Sequence, residues 1–392
     1  MNDAVKNTDI VIAGIGQTPV GEHWQLSLKN LAYLAYKAAV QDSGGLKPDA
    51  LYVGNMLAPV LSHQAHLGVL LADDFGLAGI EAAAVEAGNA GGAAALRLAY
   101  LAVASGCVNI AMALGVEKFT DQVGPNVEAA ASVILDSDYE AAMGLTPNAQ
   151  AALLLRRYLY EYQVPRPAFG AFPILAHNNA AGNPQAMYRN LINAESYAQA
   201  GMVCDPLNLF DIAPWADGAA AVIVARRDSL PAALPHPLAR ISGASLATDR
   251  LALHDRPNPL FLRAAQKSVE RACRQAGILP QDVDFFELCD STSTYAALSL
   301  EAAGFAAPGQ GWRMAQDGQL ALDGKLPVCT LGGFKGRGNP GGAAGLYQVV
   351  EAVLQLRGEA GKNQLPHPQR ALVQSLSGAA ATAVAHVLEV IH

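Results

Sequence analysis

The residues of this chain that could do chemistry stand at the ends of apolar runs. Cys289-Asp290 closes the run Val283–Leu288 and precedes a helix-like stretch that begins near Thr292. A thiol in front of a helix N-terminus suits a base or a nucleophile, because the helix dipole favours its thiolate. The same Cys289 also suits a small buried residue at a strand end, where free cysteines are common. Asp290 reads as an orienting carboxylate or as a cap for the helix at Thr292. Asn89 and Asn339 each open a glycine-rich segment. A carboxamide has no ionisable proton in the working range, so either residue can polarise a carbonyl or stabilise an oxyanion, or it can cap a turn. His177 sits in a helix-like stretch and reads as a site residue or a structural imidazole. Glu287, Ser291 and Tyr295 lie beside Cys289, and Lys335-Gly-Arg337 leads into Asn339. That cationic pair reads as an anion contact or a solvated loop. Cys329, between Val328 and Leu331, reads as core.

The elements that must position these residues are written twice. Asn89-Ala-Gly-Gly-Ala-Ala-Ala-Leu96 returns as Asn339-Pro-Gly-Gly-Ala-Ala-Gly-Leu346, and each copy opens a long Ala- and Leu-rich stretch that ends at a glycine, Gly106 or Gly358. Each phrase reads as a turn feeding a helix whose free N–H groups and positive dipole end point at what lies before it. Two such ends, placed pseudo-symmetrically, could face one site, with backbone N–H groups near Gly91 and Gly378 as further donors. The repeat implies two related halves, the first carrying an insertion. Strands expected at Asp9–Gly16, Leu51–Gly54, Ala84–Ala87 and Val108–Leu114 alternate with helices at Ser27–Ser43 and Gly91–Ser105, which indicates a covered, mostly parallel α/β sheet. From about 117 to 227 the texture changes, and Tyr, Asn, Pro and Met become more frequent. This stretch reads as an inserted loop subdomain, so the expected division is 1–240 and 241–392. In the second half, helices are expected at Asn258–Gly277 and Thr292–Gly304, and Cys329 is placed on a strand.

Composition narrows the function. Apolar residues make up 52% and charged residues 15%, which fits a well-buried globular chain. The net charge of −8 with dispersed Lys and Arg argues against a nucleic-acid footprint. The five cysteines form no CxxC pair, so a metal site is not expected and a reduced, cytoplasmic setting is. The first residues lack the basic and apolar regions of a secretion signal. The apolar segment from Ile80 to Gly115 is broken by Glu86, Asn89 and Arg97, so no membrane span is expected.

In sequence order, the motifs together resemble the thiolase superfamily, specifically its sterol-carrier-type and archaeal-type members. Val85–Gly92 is similar to the segment that carries the family's nucleophilic cysteine. Ser105-Gly106 through Gly115–Lys118 is similar to the strand that follows it. His177–Ala180 with Asn183-Pro184, and Trp215–Ala220, resemble the loop-domain signatures. Glu287-Leu-Cys-Asp290 resembles Glu-x-His-Asp, Gly338-Asn339-Pro340 resembles Gly-His-Pro, and Leu356–Gly361 completes the match. The resemblance implies two duplicated βαβαβαββ halves in five αβαβα layers, coenzyme A or acyl-CoA as ligand, no permanently bound cofactor, and a homodimer or tetramer.

The departures bear on function. By this resemblance Asn89 stands where the nucleophilic cysteine would be, and Cys289 and Asn339 stand where two histidines would be. The last motif reads Ser375-Leu-Ser377-Gly378. A covalent acyl-enzyme needs a thiolate, and proton transfer at the α-carbon needs a base; neither asparagine supplies these. Asn89, Cys289, Asn339, Asp290 and His177 are therefore the candidate catalytic positions, and Gly91, Gly338, Ser377 and Gly378 the candidate binding positions. Three functions remain open: an acyltransferase or retro-aldolase acting on CoA thioesters without the usual nucleophile, a catalytically silent subunit, and a conventional acetyl-CoA acyltransferase. The resemblance also allows a partner, either an OB-fold (DUF35-type) protein or a thiolase/synthase subunit.

Overall fold

The computed structural model describes residues 9–231, 234 and 236–391. The first half contributes β1 (Ile10–Gln17), β2 (Ala50–Gly54), β3 (Glu81–Val85) and β4 (Ile110–Glu117). An excursion carrying the small hairpin β5 (Met202–Cys204) and β6 (Leu207–Asn208) follows, and β7 (Gly218–Arg226) closes the half. The second half contributes β8 (Leu238–Thr248), β9 (Phe285–Glu287), β10 (Arg370–Ser377) and β11 (Thr382–Ile391). The first sheet runs β3-β2-β4-β7-β1 and the second β8-β11-β10-β9; only β3-β2, β2-β4 and β10-β9 are parallel, so the sheet is mixed and not mostly parallel as expected, because β7, β1, β8 and β11 pair antiparallel in the middle. The two meet edge to edge only at Val11–Arg240 and Ile12–Ala239.

Five layers follow from what each face must bury. Helix Leu28–Asp42, started by a Ser27 capping box, and helix Leu67–Asp74 cover the outer face of the first sheet. Helices Gly91–Ala104 and Ala344–Arg357 lie between the sheets, buried on nearly every side of their first turns. Helix Arg263–Ala276 covers the second sheet, with Ser293–Ala302 packed beside it. No helix among the described residues is long and apolar enough to cross a membrane.

The residues outside the sheets in the first half run from 118 to 217, because β7 is paired along its full length inside the first sheet. The end of the stretch assigned to the excursion, from Gly218 on, is thus strand β7. Its helices Pro147–Tyr162 and Ala171–Ala181 pack against Ser293–Ala302 and the loop before Asn339. The strand expected at Cys329 is reduced to one bridge, Phe286–Val328. Pro327 has no N–H to continue a ladder, and Cys329 turns the chain at φ 47°.

Candidate functional site

The two repeated phrases start helices that touch. A Cβ on Gly92 would stand 2.9 Å from the Gly342 carbonyl, and one on Gly345 would stand 2.9 Å from Ala93 Cβ. Glycine at these positions lets the two N-termini approach backbone to backbone and open on the same space. Glu117, at the end of β4, ties the arrangement together. Its buried carboxylate accepts the Met56, Leu57 and Gly342 N–H groups at 2.8–3.0 Å.

A narrow pocket of about 40 Å³ lies in front of both helices, and Asn89, Asn339, Ser377, Gly378, Ser291 and Tyr295 are in its wall. Asn339 is stitched to the exit of the excursion: its N–H donates to Pro214 O at 2.9 Å, and its carbonyl accepts from Ala216 at 3.1 Å. Its side-chain oxygen accepts the Gly341 N–H at 3.2 Å, which leaves the NH2 as its free donor. The Asn89 N–H donates to Ser377 Oγ at 3.2 Å, but its side-chain oxygen is buried without a partner. Tyr295 enters from the first turn of helix Ser293–Ala302, and its hydroxyl has no partner among the described residues. Burial pushes the phenol above its ordinary value, against the pull of the nearby Arg256 guanidinium. The far wall is the β10–β11 turn, where Gly378, Ala379 and Ala380 all have φ between 50° and 61°. Two consecutive alanines in the left-handed region are strained. Arg256 holds them by donating to the Ala379 carbonyl at 2.6 Å.

Several expected site residues lie elsewhere. Cys289 is 1% exposed and outside the pocket wall; its thiol lies 3.6 Å from Ser291 Oγ and near the Ser291 and Leu376 backbone. Burial pushes the thiol above its ordinary value, which fits a small buried residue at a strand end. Asp290 does not cap the helix at Thr292, since the Thr292 hydroxyl accepts the Tyr295 N–H itself. Asp290 instead accepts the Phe334 N–H at 2.7 Å and fixes the loop before Asn339. Gly91 and Gly338 also stand behind the wall. The Gly91 N–H is used by Gly88 O, and Gly338 has φ 108° in a loop packed on Val20. Glu287 is fully buried behind the pocket, pushed up to about 8 by burial and by the Glu351 carboxylate. Thr330 donates to one of its oxygens and the other has no partner. Arg337 is no solvated cation: it is 0% exposed, pairs with Glu351 at 2.7 Å and stacks on the Phe334 and Tyr347 rings. Cys329 is buried core.

His177 lies in a second and larger cavity of about 560 Å³. Its Nδ1 is 3.0 Å from Asn190 O, its ring stacks on Tyr188, and burial pulls its pKa below the ordinary value. Lys335 is in the same wall. Asn148, Ala213 and Trp215 border both spaces and form the partition between them. Glu128 Oε1 accepts from Trp215 Nε1 at 2.7 Å and Asn148 Nδ2 at 2.9 Å, so one carboxylate holds two of the three partition residues.

The sequence singled out neither Arg256 nor the two alanines after Gly378, and it marked Trp215 only as part of a loop-domain signature, not as a partition.

The duplicated halves, the five layers and the paired helix starts define a thiolase-type architecture. The chain belongs to the thiolase family: the model of the thiolase N-terminal domain matches residues 10–228, and that of the thiolase C-terminal domain-like family matches 245–390. It is 37% identical over 381 residues to an acetyl-CoA acetyltransferase of Methanothermobacter thermautotrophicus, covering 97% of this chain and 99% of that one. It is 27% identical to the benzoylsuccinyl-CoA thiolase subunit BbsB of Thauera aromatica, over 94% of both chains. Among solved structures it is similar to the Ltp2–ChsH2(DUF35) aldolase, with a TM-score of 0.81 and 26% identity over 98% of each chain.

Proposed function

We propose that the protein cleaves or forms a carbon–carbon bond in a coenzyme A thioester without an acyl-enzyme, as a retro-aldolase on 3-hydroxyacyl thioesters. One observation carries this reading. The pocket before the paired helix starts presents carboxamides, Asn89 and Asn339 at the helix starts with Asn148 and Gln150 beside them, and the Tyr295 phenol, while the Cys289 thiol is buried outside the wall and pushed up by burial. Similarity to an aldolase over nearly the whole chain supports it.

In the cleavage direction the bond between C2 and C3 breaks, and its electron pair moves into the thioester as an enolate. The Asn339 NH2 donates to the thioester oxygen where that charge develops. The Tyr295 phenol gives its proton to C2. The two transfers accompany bond breaking: the C3 hydroxyl proton passes to the Tyr295 oxygen as C3 becomes a carbonyl and the phenol's own proton passes to C2 of the enolate, so the protein ends unchanged. Asn89, with its unsatisfied oxygen, accepts the C3 hydroxyl and orients it. Ser377 positions Asn89.

Coenzyme A thioesters are the ligands of this reading, and no bound cofactor is needed. The outer edge of β3 has no partner strand among the described residues and its Glu81, Ala83 and Ala84 are exposed, which suits a homodimer across that edge. A DUF35-type partner is proposed from the likeness to an aldolase that includes one. The five unpaired cysteines fit a cytoplasmic setting. A silent-subunit reading is favoured by one feature, the pocket's small volume of about 40 Å³.

The test is incubation of the purified protein with 3-hydroxyacyl-CoA and 3-ketoacyl-CoA panels, with and without free CoA, read by mass spectrometry. Release of an aldehyde or ketone without added CoA supports the proposal. CoA-dependent chain shortening overturns it in favour of thiolysis, and no product from any thioester points to the silent subunit.

A further inference from the structure

Gln150, a buried carboxamide, has no part in the bond cleavage at Tyr295 and Asn339. It is 1% exposed and stands in the wall of the Asn89–Asn339 pocket, in the first turn of helix Pro147–Tyr162. Thr146 caps that turn by accepting the Ala149 N–H, which fixes the backbone that carries Gln150. The amide is fixed as well. Its NH2 donates to Glu140 Oε1 at 3.2 Å. Glu140 is itself buried, and its two oxygens accept the Leu253 N–H at 2.8 Å and the Asp136 N–H at 3.2 Å. A carboxylate engaged in this way takes donors, so Gln150 cannot turn its carbonyl towards it. The Gln150 side-chain oxygen therefore points away from Glu140, and it has no hydrogen-bond partner among the described residues.

Two residues of this wall thus carry an orphaned amide oxygen, Asn89 and Gln150. A buried acceptor left unfilled is costly, so each calls for a donor in the working state. The C3 hydroxyl of a 3-hydroxyacyl thioester brings one hydrogen and serves one of them. The second donor has to come with the ligand. A pocket of about 40 Å³ has room for about three water-sized groups, so that donor sits at the reacting carbons and not on a distant chain. Its place follows from Tyr295. The Glu140 charge is felt at the Tyr295 phenol, so the Glu140–Gln150 pair lies on the Tyr295 side of the pocket, from which C2 receives its proton.

We infer that Gln150 is a specificity-determining residue that accepts a hydrogen bond from a hydroxyl on C2, so that the preferred substrate is a 2,3-dihydroxyacyl thioester. This rests on the retro-aldol reading of the pocket and deepens it. Cleavage of the C2–C3 bond then releases the C3 fragment as an aldehyde or ketone and leaves a 2-hydroxyacyl thioester. C2 gains the Tyr295 proton, Tyr295 gains the C3 hydroxyl proton, and the C2 hydroxyl keeps its own, so no oxidant or further reactant enters.

The test compares three thioesters of coenzyme A, namely 2,3-dihydroxybutanoyl, 3-hydroxy-2-methylbutanoyl and 3-hydroxybutanoyl. The methyl compound has a C2 substituent of the hydroxyl's size without its hydrogen. Binding is read by calorimetry, and release of acetaldehyde, the C3 fragment of all three, by mass spectrometry. The diol is expected to bind about tenfold more tightly than the methyl compound, and to exceed it in kcat/KM by about the same factor. Gln150→Met, of similar size without the acceptor, is expected to bring the two within about twofold of each other. A merely structural role for Gln150 would weaken both alike and leave their ratio unchanged. If Gln150→Met does not fold, the ratio in the parent protein decides alone. Equal handling of the diol and the methyl compound by the parent, or a ratio unchanged in Gln150→Met, leaves the Gln150 oxygen to an ordered water and overturns the inference. Tighter binding of the diol without release of acetaldehyde leaves the role of Gln150 standing and removes the retro-aldol reading. Release of acetaldehyde from 3-hydroxybutanoyl-CoA with no preference for the diol does the reverse, and binding of none of the three removes both.

Discussion

The two helix starts carry the same phrase and use its asparagine differently. At Asn339 the side-chain oxygen accepts the Gly341 N–H, so the amide is pinned and its NH2 faces the pocket. At Asn89 the side-chain oxygen is buried and unpaired, and only the backbone is held, by Ser377. The difference comes from phase. The first helix begins at Gly91 and the second at Ala344, three residues further along the repeat. Asn89 is therefore inside the leading turn, Gly88–Ala90, whereas Asn339 precedes its counterpart, Gly341–Ala343. A pinned amide is a fixed hydrogen-bond donor. An unpaired acceptor costs stability until something fills it, which is the mark of a group waiting for a ligand.

The largest expected effect breaks the contact that makes the comparison possible. Gly345→Val places a branched side chain where a Cβ alone meets Ser375 Oγ at 2.7 Å and Ala93 at 2.9 Å. Overpacking of this kind typically costs about 1–3 kcal/mol, and thermal unfolding should fall by several degrees with loss of all activity.

The next pair of substitutions separates the asparagines. Asn339→Ala should lower kcat by about a hundredfold or more, the usual loss for an oxyanion donor, and lower stability by about 1 kcal/mol through the lost turn cap. Asn89→Ala should leave the melting temperature equal or higher, because it removes an unsatisfied polar atom, while weakening substrate orientation. Thermal melts beside steady-state kinetics distinguish the two patterns, and equal effects on both readouts would erase the distinction.

Two further effects are opposite in pH. His386, fully buried near Arg97 of the first central helix, is pulled down to about 3 by burial. The unfolded chain binds the extra proton, so stability is lost as pH falls from about 6.5 towards 3. His386→Leu should flatten that acid limb. Glu287, near Glu351 of the second central helix, is pushed up to about 8 by burial and the Glu351 charge. Here the folded chain binds the proton, so its contribution is present below about 4.5 and is lost as pH rises through 8. Glu287→Gln should flatten the alkaline limb. Melting temperature against pH for both variants checks the signs.

Much of this was legible in the residues. The repeated phrase located both helix starts and the pocket between them, because glycines that admit close backbone approach leave a sequence trace. Ser27, with its side-chain oxygen 3.2 Å from the Asn30 N–H, started its helix as its type requires. Burial was not legible. Cys289 and Ser291 are two residues apart, yet only Ser291 reaches the pocket wall, because the chain turns between β9 and helix Ser293–Ala302. Lys335 and Arg337 read as an anion contact or a solvated loop because their partners, the Asp211 carbonyl and Glu351, are distant or a helix away in sequence. Ala379 and Ala380 gave no sign of positive φ, since alanine rarely adopts it.

The central claim is that the pocket works with amides and a phenol while the thiol stands apart. The direct measurement is turnover of a 3-hydroxyacyl thioester by Cys289→Ala, Tyr295→Phe and the parent protein, with intact-mass analysis of each during reaction. Cys289→Ala should keep its rate within a few-fold, Tyr295→Phe should lose about 10²-fold or more, and no acyl mass should appear on any protein. Loss of activity in Cys289→Ala together with an acyl adduct on the parent protein would contradict the account.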